Sequence, residues 1–567
     1  MTWGIDRRAR LGDALAAFAL AALMIAVWSL RDWANLSALR LPDTDDAMRL
    51  QQIRDWLAGQ PFADLAQHRL AGGLPMHWSR LPDLVPGTII AVLTPFAGQH
   101  AAELSAVIAW PGLLFAASLL LVARITRQLA PDAARIAIIV AAIAFPATTV
   151  FLPGRIDHHN FQVVLLLGIV LSLVHPPTLG RGLTAGLCAT ASLVIGLETA
   201  PLIAAACLVM LAEWISARPH TDDRMMGFGI ALAAGLLGAS LVFRPLQWDY
   251  PACDGFTATF WRASVIAAFA PMLIALSARD VARPPMRALL GIGLGGVVTI
   301  GAVAAAPQCL SPYGAVDPRL AQLWLGRVGE AQALFAAPLA TAIGYAGVMV
   351  AGIAASAWRW HATRDGRWWA LLALQLAAFA LCCAQLRGAY AGAILAAPAL
   401  AATIAIARRN GTLALAGAWI GSAGMLYPIA AQAMAPEREP QPARGITGAC
   451  TSPEALAALG RLPAGTILAP LDLGPYVLAA TRHRVVAAPY HRNNDGNLAS
   501  YSFFLDPAAS QRIARQWHVD YVALCDTSFA ELPQPPAMAE RLRDGRVPGW
   551  LVPVPTGMPG LSVWRVR

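Results

Sequence analysis

Long apolar runs broken by short polar segments set the pattern of this chain. Runs able to cross about 30 Å of hydrocarbon fall near Leu11–Leu30, Ala101–Ala123, Arg135–Phe151, Phe161–Val174, Leu183–Leu197, Ala200–Ile215 and Gly227–Phe243. Others fall near Ala263–Ala278, Ala288–Ala305, Ala336–Ala357, Ala370–Ala384, Ala389–Ala407 and Leu413–Ala433. The pattern predicts a mainly α, polytopic membrane bundle of about thirteen spans. Residues 31–86 form a long polar loop after the first run, in which a helix is expected over Ala47–Ala58. Past residue 433 the pattern changes. Pro436–Arg444 reads as a linker, Ser452–Leu459 and Asp506–Gln516 as helices, and Thr466–Ala469, Arg484–Ala488 and Val519–Cys525 as strands. Alternating strand and helix predicts a small α/β domain over residues 434–567, beside a transmembrane catalytic domain over 1–433.

Charge orients the bundle. Alternate loops carry Arg124, Arg127 and Arg135; Arg181; Arg218 and Arg224; Arg279, Arg283 and Arg287; Arg359, Arg364 and Arg367; and Arg408 and Arg409. Basic loops mark the cytoplasmic side. The intervening loops are acidic or mixed, with Asp249, Asp254, Asp317 and Glu330. An inside N-terminus and an odd span count place the C-terminal domain outside, in the periplasm of a bacterial inner membrane. Arg7, Arg8 and Arg10 before the first run read as a retained signal-anchor.

Composition agrees. Of 567 residues, 57% are hydrophobic and 13% charged, against about 25% charged in soluble proteins. The net charge of +9 reflects basic cytoplasmic loops and not nucleic-acid binding. Of eight cysteines, Cys253 and Cys309 fall in external loops, and Cys450 and Cys525 in the external domain. An oxidising compartment permits a bridge within each pair. No CxxC pair argues for zinc.

The candidate chemistry lies at the external face. Asp43, Asp45 and Asp46 crowd the first loop, followed by Arg49. Clustered carboxylates repel unless a cation lies among them, and hard oxygen ligands suit Mg²⁺ or Mn²⁺. A second polar knot, Gly154-Arg155-Ile156-Asp157-His158-His159, joins two apolar runs, where polar residues are costly and mark function. Asp157 and His159 are candidate ligands there. Glu330 sits among apolar neighbours, where it can hold an acceptor group or pair with Arg327. Arg387, at the outer end of its span, can grip a phosphate bidentately. Tyr490–Asp495, with His491, reads as a surface loop or part of an acceptor site.

These motifs, in this order, resemble GT-C glycosyltransferases, and specifically the single-subunit catalytic oligosaccharyltransferases of archaea and bacteria. Asp43 stands six residues before Arg49, as in the family's DPxYHxR motif. Gly73–Asp83 resembles its Gly-x-Pro…Trp-x-x-Leu-x-Asp phrase. Gly154, Asp157 and His159 fit its GxxDxH motif, and Glu330 and Arg387 match its acceptor Glu and donor-phosphate Arg. Where the family has WWDYG, this chain has Pro470-Leu471-Asp472-Leu473-Gly474-Pro475-Tyr476, with both tryptophans absent.

The resemblance implies an inverting transfer of a glycan from a polyprenyl-linked sugar donor. Asp43, Asp157 and His159 would hold Mn²⁺ or Mg²⁺. Arg387, with Arg49, would bind donor phosphate, and Asp45, Asp46 or Glu330 would orient or deprotonate the acceptor. Asp472, Tyr476 and His491 are acceptor-binding candidates, for a protein or glycan acceptor. An alternative within the class moves a single sugar to lipopolysaccharide or another glycan. A transporter would carry its acids near the midplane on broken helices, and a non-catalytic export partner would need no paired acidic sites. Membrane lipid is the other expected partner.

The charge pattern predicts that a reporter fused after Ala433 is active only as a periplasmic reporter. Activity of a cytoplasmic reporter at that position would move both acid motifs to the other side of the membrane.

Overall fold

The computed structural model describes residues 2–277, 281, 283–311, 316–434, 449–530 and 532–567. Most of the chain before residue 434 is helical. Among the described residues, eight helices are long and apolar enough to cross a membrane, and nine if the bent pair Thr412–Ser422 and Leu426–Ala433 is one span. Four shorter apolar helices, Leu84–Ala97, His159–Val174, Leu179–Ile195 and Ala200–Ile215, accompany them. At 1.5 Å per residue these are about 21–26 Å long. The chain is a multi-pass membrane protein.

Two expected spans are broken, and the breaks meet. Over Arg135–Phe151, the helix Ala134–Ala142 stops and a 3-10 turn, Ala147–Phe151, follows. Pro146 has no N–H to continue a helix and biases Phe145 away from helical backbone. Over Leu413–Ala433 the helix bends by 84° between Ser422 and Leu426. There the Met425 N–H donates to the Ile143 carbonyl at 3.2 Å, so each break satisfies a polar group freed by the other. Gly424 permits the approach, since a Cβ there would lie 2.8 Å from the Phe145 nitrogen. The helix Leu84–Ala97 begins just inside the expected 31–86 loop and packs along Gln99–Leu129.

The C-terminal domain is a five-stranded sheet: β1 Thr466–Leu468, β2 Arg484–Val485, β3 Tyr521–Cys525, β4 Leu551–Val554 and β5 Leu561–Val566. Its order is β2-β1-β3-β5-β4, with β2, β1 and β3 parallel and β5 and β4 antiparallel. The predicted helices sit at Pro453–Gly460, capped by Ser452 on the Ala455 N–H, and Pro507–Gln516, capped by Asp506 on the Ala508 N–H. The antiparallel pair β4–β5 and the helices Leu473–Ala480 and Asn494–Leu505 were not foreseen. The Pro436–Arg444 linker lies outside the described residues.

This domain shares a core with the first loop. Met48, Leu70, Leu74 and Trp78 pack with Ile467, Leu473, Val477 and Tyr490. The loop also extends the sheet edge. Val485 donates to the Arg69 carbonyl and Ala71 to the Val485 carbonyl, both at 2.9 Å. The Arg69 guanidinium caps the helix Leu473–Ala480 through the Leu478 and Thr481 carbonyls, at 2.7 and 2.8 Å.

Both cysteine pairs are bridged. Cys253–Cys309 has its Cα atoms 4.8 Å apart and Cys450–Cys525 5.9 Å, within the ordinary disulfide range. Beside Cys253, Asp254 receives Arg492 through two contacts of 2.5 and 2.7 Å and His491 at 2.6 Å. Burial opposes ionisation of Asp254, but hydrogen bonds from Arg492 and His491 outweigh it and hold the carboxyl well below the usual range. A depressed carboxyl contributes stability above its ordinary pKa and loses it only as the pH falls through the folded value. The joint between domain and membrane loop therefore survives mild acid. Asp254→Asn should cost about 3–5 kcal/mol, because it leaves the buried Arg492 cation unpaired. Thermal unfolding and proteolytic release of the C-terminal domain measure this; an unchanged domain would remove the ion pair as the joint.

Candidate active site

The acid loop and the 154–159 knot, more than a hundred residues apart in sequence, meet beneath one cavity. The helix Thr44–Leu57 begins at Asp43, whose carboxylate caps the Asp45 N–H at 3.1 Å. Asp43, Asp46 and Arg49 recur every third residue, so they share one helix face, and that face meets the knot. Asp46 accepts the Asp157 backbone N–H at 2.8 Å. Arg155 pairs with Asp43 at 2.9 Å and Asp46 at 3.2 Å. Gly154, at φ 89°, makes the approach possible, since a Cβ there would lie 2.8 Å from the Pro42 ring.

Arg49 is 0% exposed. It reaches Asp83 at 2.7 Å, Asp157 at 3.6 Å and His158 Nδ1 at 3.3 Å, over the Trp78 ring at 4.8 Å. Asp83 and Trp78 come from the Gly73–Asp83 phrase, which thus supplies a carboxylate and an aromatic face for one buried cation. Arg49 and Asp46 lie behind the cavity wall and do not line it. Both side chains are engaged by partners that hold the knot, Arg49 by Asp83 and Asp157, and Asp46 by Arg155 and the Asp157 N–H.

Asp157 is the centre of the knot, 3% exposed. Its Oδ1 is 2.6 Å from His158 Nδ1, and its Oδ2 3.5 Å from His159 Nε2. His158 Nε2 continues to Glu198 at 3.2 Å. Burial disfavours the imidazolium, but Asp157 and Glu198 outweigh it and raise His158 to about 10. With both ring nitrogens engaged, His158 is a cation that steadies two carboxylates.

The cavity above has a volume of about 1260 Å³. Asp43, Asp45, Arg155, Asp157, His159, Glu198, Glu330 and Arg387 line its membrane-domain side. Glu330 pairs with Arg387 at 3.5 Å, lies 4.0 Å from His159 and accepts from the Tyr390 hydroxyl at 3.4 Å. The opposite wall is the soluble domain: Pro470–Asp472 and Tyr476, Pro489–His491, and Thr527–Phe529. These segments follow the carboxyl ends of β1, β2 and β3, where open α/β sheets bind ligands. Tyr476 and Tyr490 lock the two walls together through the Leu41 carbonyl at 3.3 Å and the Thr44 carbonyl at 3.2 Å. Within Tyr490–Asp495, Tyr490 and Asn493 are buried and Asp495 is exposed, so the segment is only in part a surface loop.

The donor set suits a divalent cation. Ligand-capable atoms of Asp157, His158 and His159 lie within 4.8 Å of one another. With His158 engaged on both sides, Asp157 Oδ2 and His159 Nε2 remain, at a separation that two metal bonds of roughly 2.0–2.6 Å can bridge. Asp45 faces the same space with no side-chain hydrogen bond among the described residues. Burial, then the charges of Asp157, Asp43 and Glu330, push its carboxyl well above the usual range, which a cation would relieve. Asp43 lines the wall, but its carboxylate is on Arg155 and outside that three-residue group.

No protein-family model matches the sequence, and no curated protein matches it. The likeness lies in structure. The oligosaccharyltransferase AglB from Archaeoglobus fulgidus, in complex with an inhibitory peptide and a dolichol-phosphate, superposes with a TM-score of 0.65 at 17% identity, over 91% of this chain and 69% of that one. The same organism's oligosaccharyltransferase with Zn and sulfate gives 0.60 at 17% identity, over 90% and 68%. Its form tethered to an acceptor peptide containing the NVT sequon gives 0.63 at 15%, over 91% and 69%.

The chain has an oligosaccharyltransferase-like fold. Sequence reasoning passed over three cavity residues that carried a signal. Glu198 is a lone acid between two apolar runs, the pattern that marks function near hydrocarbon. Arg155 stood inside a motif read for its neighbours. Tyr390 lies three residues past Arg387, on the same face of the helix Gly388–Ala407.

The raised Asp45 carboxyl makes a testable demand. A proton competes for it well above the ordinary carboxylate range, so Mn²⁺ affinity measured by calorimetry should weaken as the pH falls toward that range. Asp45→Asn should flatten the dependence. A wild-type affinity independent of pH would put Asp45 outside the cation site.

Proposed function

We propose that the protein transfers a glycan from a polyprenyl (pyro)phosphate donor to an acceptor at the periplasmic face of a bacterial inner membrane. One observation carries this reading: a single cavity in an oligosaccharyltransferase-like fold gathers the Asp157–His159 pair, a carboxylate wall and Arg387. Mg²⁺ or Mn²⁺ would be held by Asp157 and His159, with Asp45 and Asp43 from the facing helix. Bound there, it would supply Lewis-acid stabilisation of the departing phosphate.

The chain's own residues do the rest. The Arg387 guanidinium offers a planar fork to phosphate oxygens, and Glu330 and Tyr390 hold that fork at the cavity edge. As the bond from the anomeric carbon to the phosphate oxygen breaks, its electron pair leaves with the phosphate, and Arg387 offsets the new charge. The acceptor approaches from the opposite face, which inverts the anomeric carbon. Asp157 stays ionised throughout because Arg49 and His158 flank it. Asp472, Tyr476 and His491 line the opposite wall, from which they would meet the acceptor.

A second reading has a specific observation behind it. Pro470 and Leu471 stand where the family's tryptophans would be, which favours an acceptor other than a sequon peptide, such as lipopolysaccharide or another glycan receiving one sugar.

The test is transfer by purified protein from a synthetic polyprenyl-diphosphate oligosaccharide. Asp157→Ala and His159→Ala should each lower transfer by at least about 100-fold, and EDTA should stop it until Mn²⁺ or Mg²⁺ is restored. Transfer that resists EDTA and both substitutions would overturn the reading.

A further inference from the structure

The sheet-domain wall carries polar side chains that the scheme above leaves without a chemical task. His491 lines the cavity with Nε2 2.6 Å from Asp254 Oδ2. Arg492 occupies both oxygens of the same carboxylate, so Asp254 is anionic and accepts the His491 hydrogen. In a neutral ring that hydrogen bond places the proton on Nε2 and the lone pair on Nδ1. An imidazole so oriented by a buried carboxylate is the arrangement that activates hydroxyl nucleophiles.

The surroundings are built for it. His77 also lines the cavity, its ring 4.4 Å from that of His491, and its buried Nδ1 has no hydrogen-bond partner among the described residues. The Cys253–Cys309 bridge anchors the residue next to Asp254. Gly255 lies so close to the His77 carbonyl that no side chain fits between them. The dyad adjoins the acid wall, because Tyr490, the neighbour of His491, is hydrogen-bonded to Thr44, the neighbour of Asp45.

We propose that the acceptor is a carbohydrate, that its nucleophile is a sugar hydroxyl, and that His491 is the general base, with Asp254 and His77 as positioning residues. This rests on the glycan-transfer reading. Nδ1 of His491 takes the hydroxyl proton as the oxygen bonds to the anomeric carbon. The bond from that carbon to the donor phosphate oxygen breaks, and its electron pair leaves on the phosphate. Asp254 stabilises the imidazolium that forms. A carboxamide acceptor is a poorer fit, since its nitrogen lone pair is delocalised and an imidazole cannot free it by removing one proton. The volume of about 1260 Å³ exceeds that of a typical single-ligand pocket, about 300–1,000 Å³, and leaves room for an acceptor sugar beside the donor sugar.

The experiment gives the purified full-length protein a synthetic polyprenyl-diphosphate disaccharide, with p-nitrophenyl glycosides in one arm and Asn-Ala-Thr and Ser-containing peptides in the other. The expected result is transfer to a glycoside. His491→Gln should lower kcat about 100-fold or more with the donor KM unchanged. That variant keeps the Arg492–Asp254 pair, so the domain stays docked, and donor binding by both proteins checks this. Transfer to peptides alone, or a His491→Gln rate equal to wild type, overturns the proposal while leaving glycan transfer standing. If wild type consumes no donor in either arm, the glycan-transfer reading itself fails.

Discussion

An ionised Asp157 held almost wholly out of water is the constraint on which this end of the molecule is built. A buried carboxylate is tolerable only with charge and hydrogen bonds around it. Arg49 and His158 supply positive charge, and the Asp157 backbone N–H is itself tied to Asp46. Each partner then needs its own counterweight: Asp83 for Arg49, Glu198 for His158 and Arg155 for Asp46. The network therefore spreads from the 154–159 knot into the first loop and the turn at residue 198. One requirement, a charged carboxylate kept out of water, thus explains several buried charges that would otherwise be liabilities in an apolar bundle.

The soluble domain belongs to this arrangement and is no appendage. It lends apolar residues to a core shared with the first loop, and that loop pairs with its sheet edge. Arg54, from the acid helix, reaches both Glu103 in the bundle and the Ala479 carbonyl in the domain. Each half stabilises the other, so the cavity between them has two fixed walls. One carries carboxylates and Arg387. The other presents the carboxyl ends of parallel strands, with an imidazole locked by Asp254.

Much of this was legible along the chain. The apolar runs foretold a membrane bundle because hydrocarbon admits almost nothing else. The C-terminal helices expected from Ser452 and Asp506 begin there, where each side chain caps the first turn, since local hydrogen bonds decide those positions. The two disulfides join cysteines that the expected topology put on one side of the membrane. Asp157 and His159 stood out because polar clusters beside hydrocarbon are expensive. What misled was length: an apolar run such as Arg135–Phe151 looks continuous in composition, although Pro146 interrupts its backbone.

The sequence by itself determined the membrane class, the positions of the acid motifs and the residue types able to hold a cation and a phosphate, because periodicity, burial cost and ligand chemistry are local properties. Only the tertiary structure decided which of those residues face the cavity. Asp45 lines it and Asp46 does not, although they are neighbours, because a helix turns consecutive side chains to different sides. Arg49 is consumed by Asp83 and Asp157, and His491 is joined to Asp254 from a distant loop. Those pairings depend on the meeting of segments remote in sequence, and a linear pattern carries no record of who meets whom.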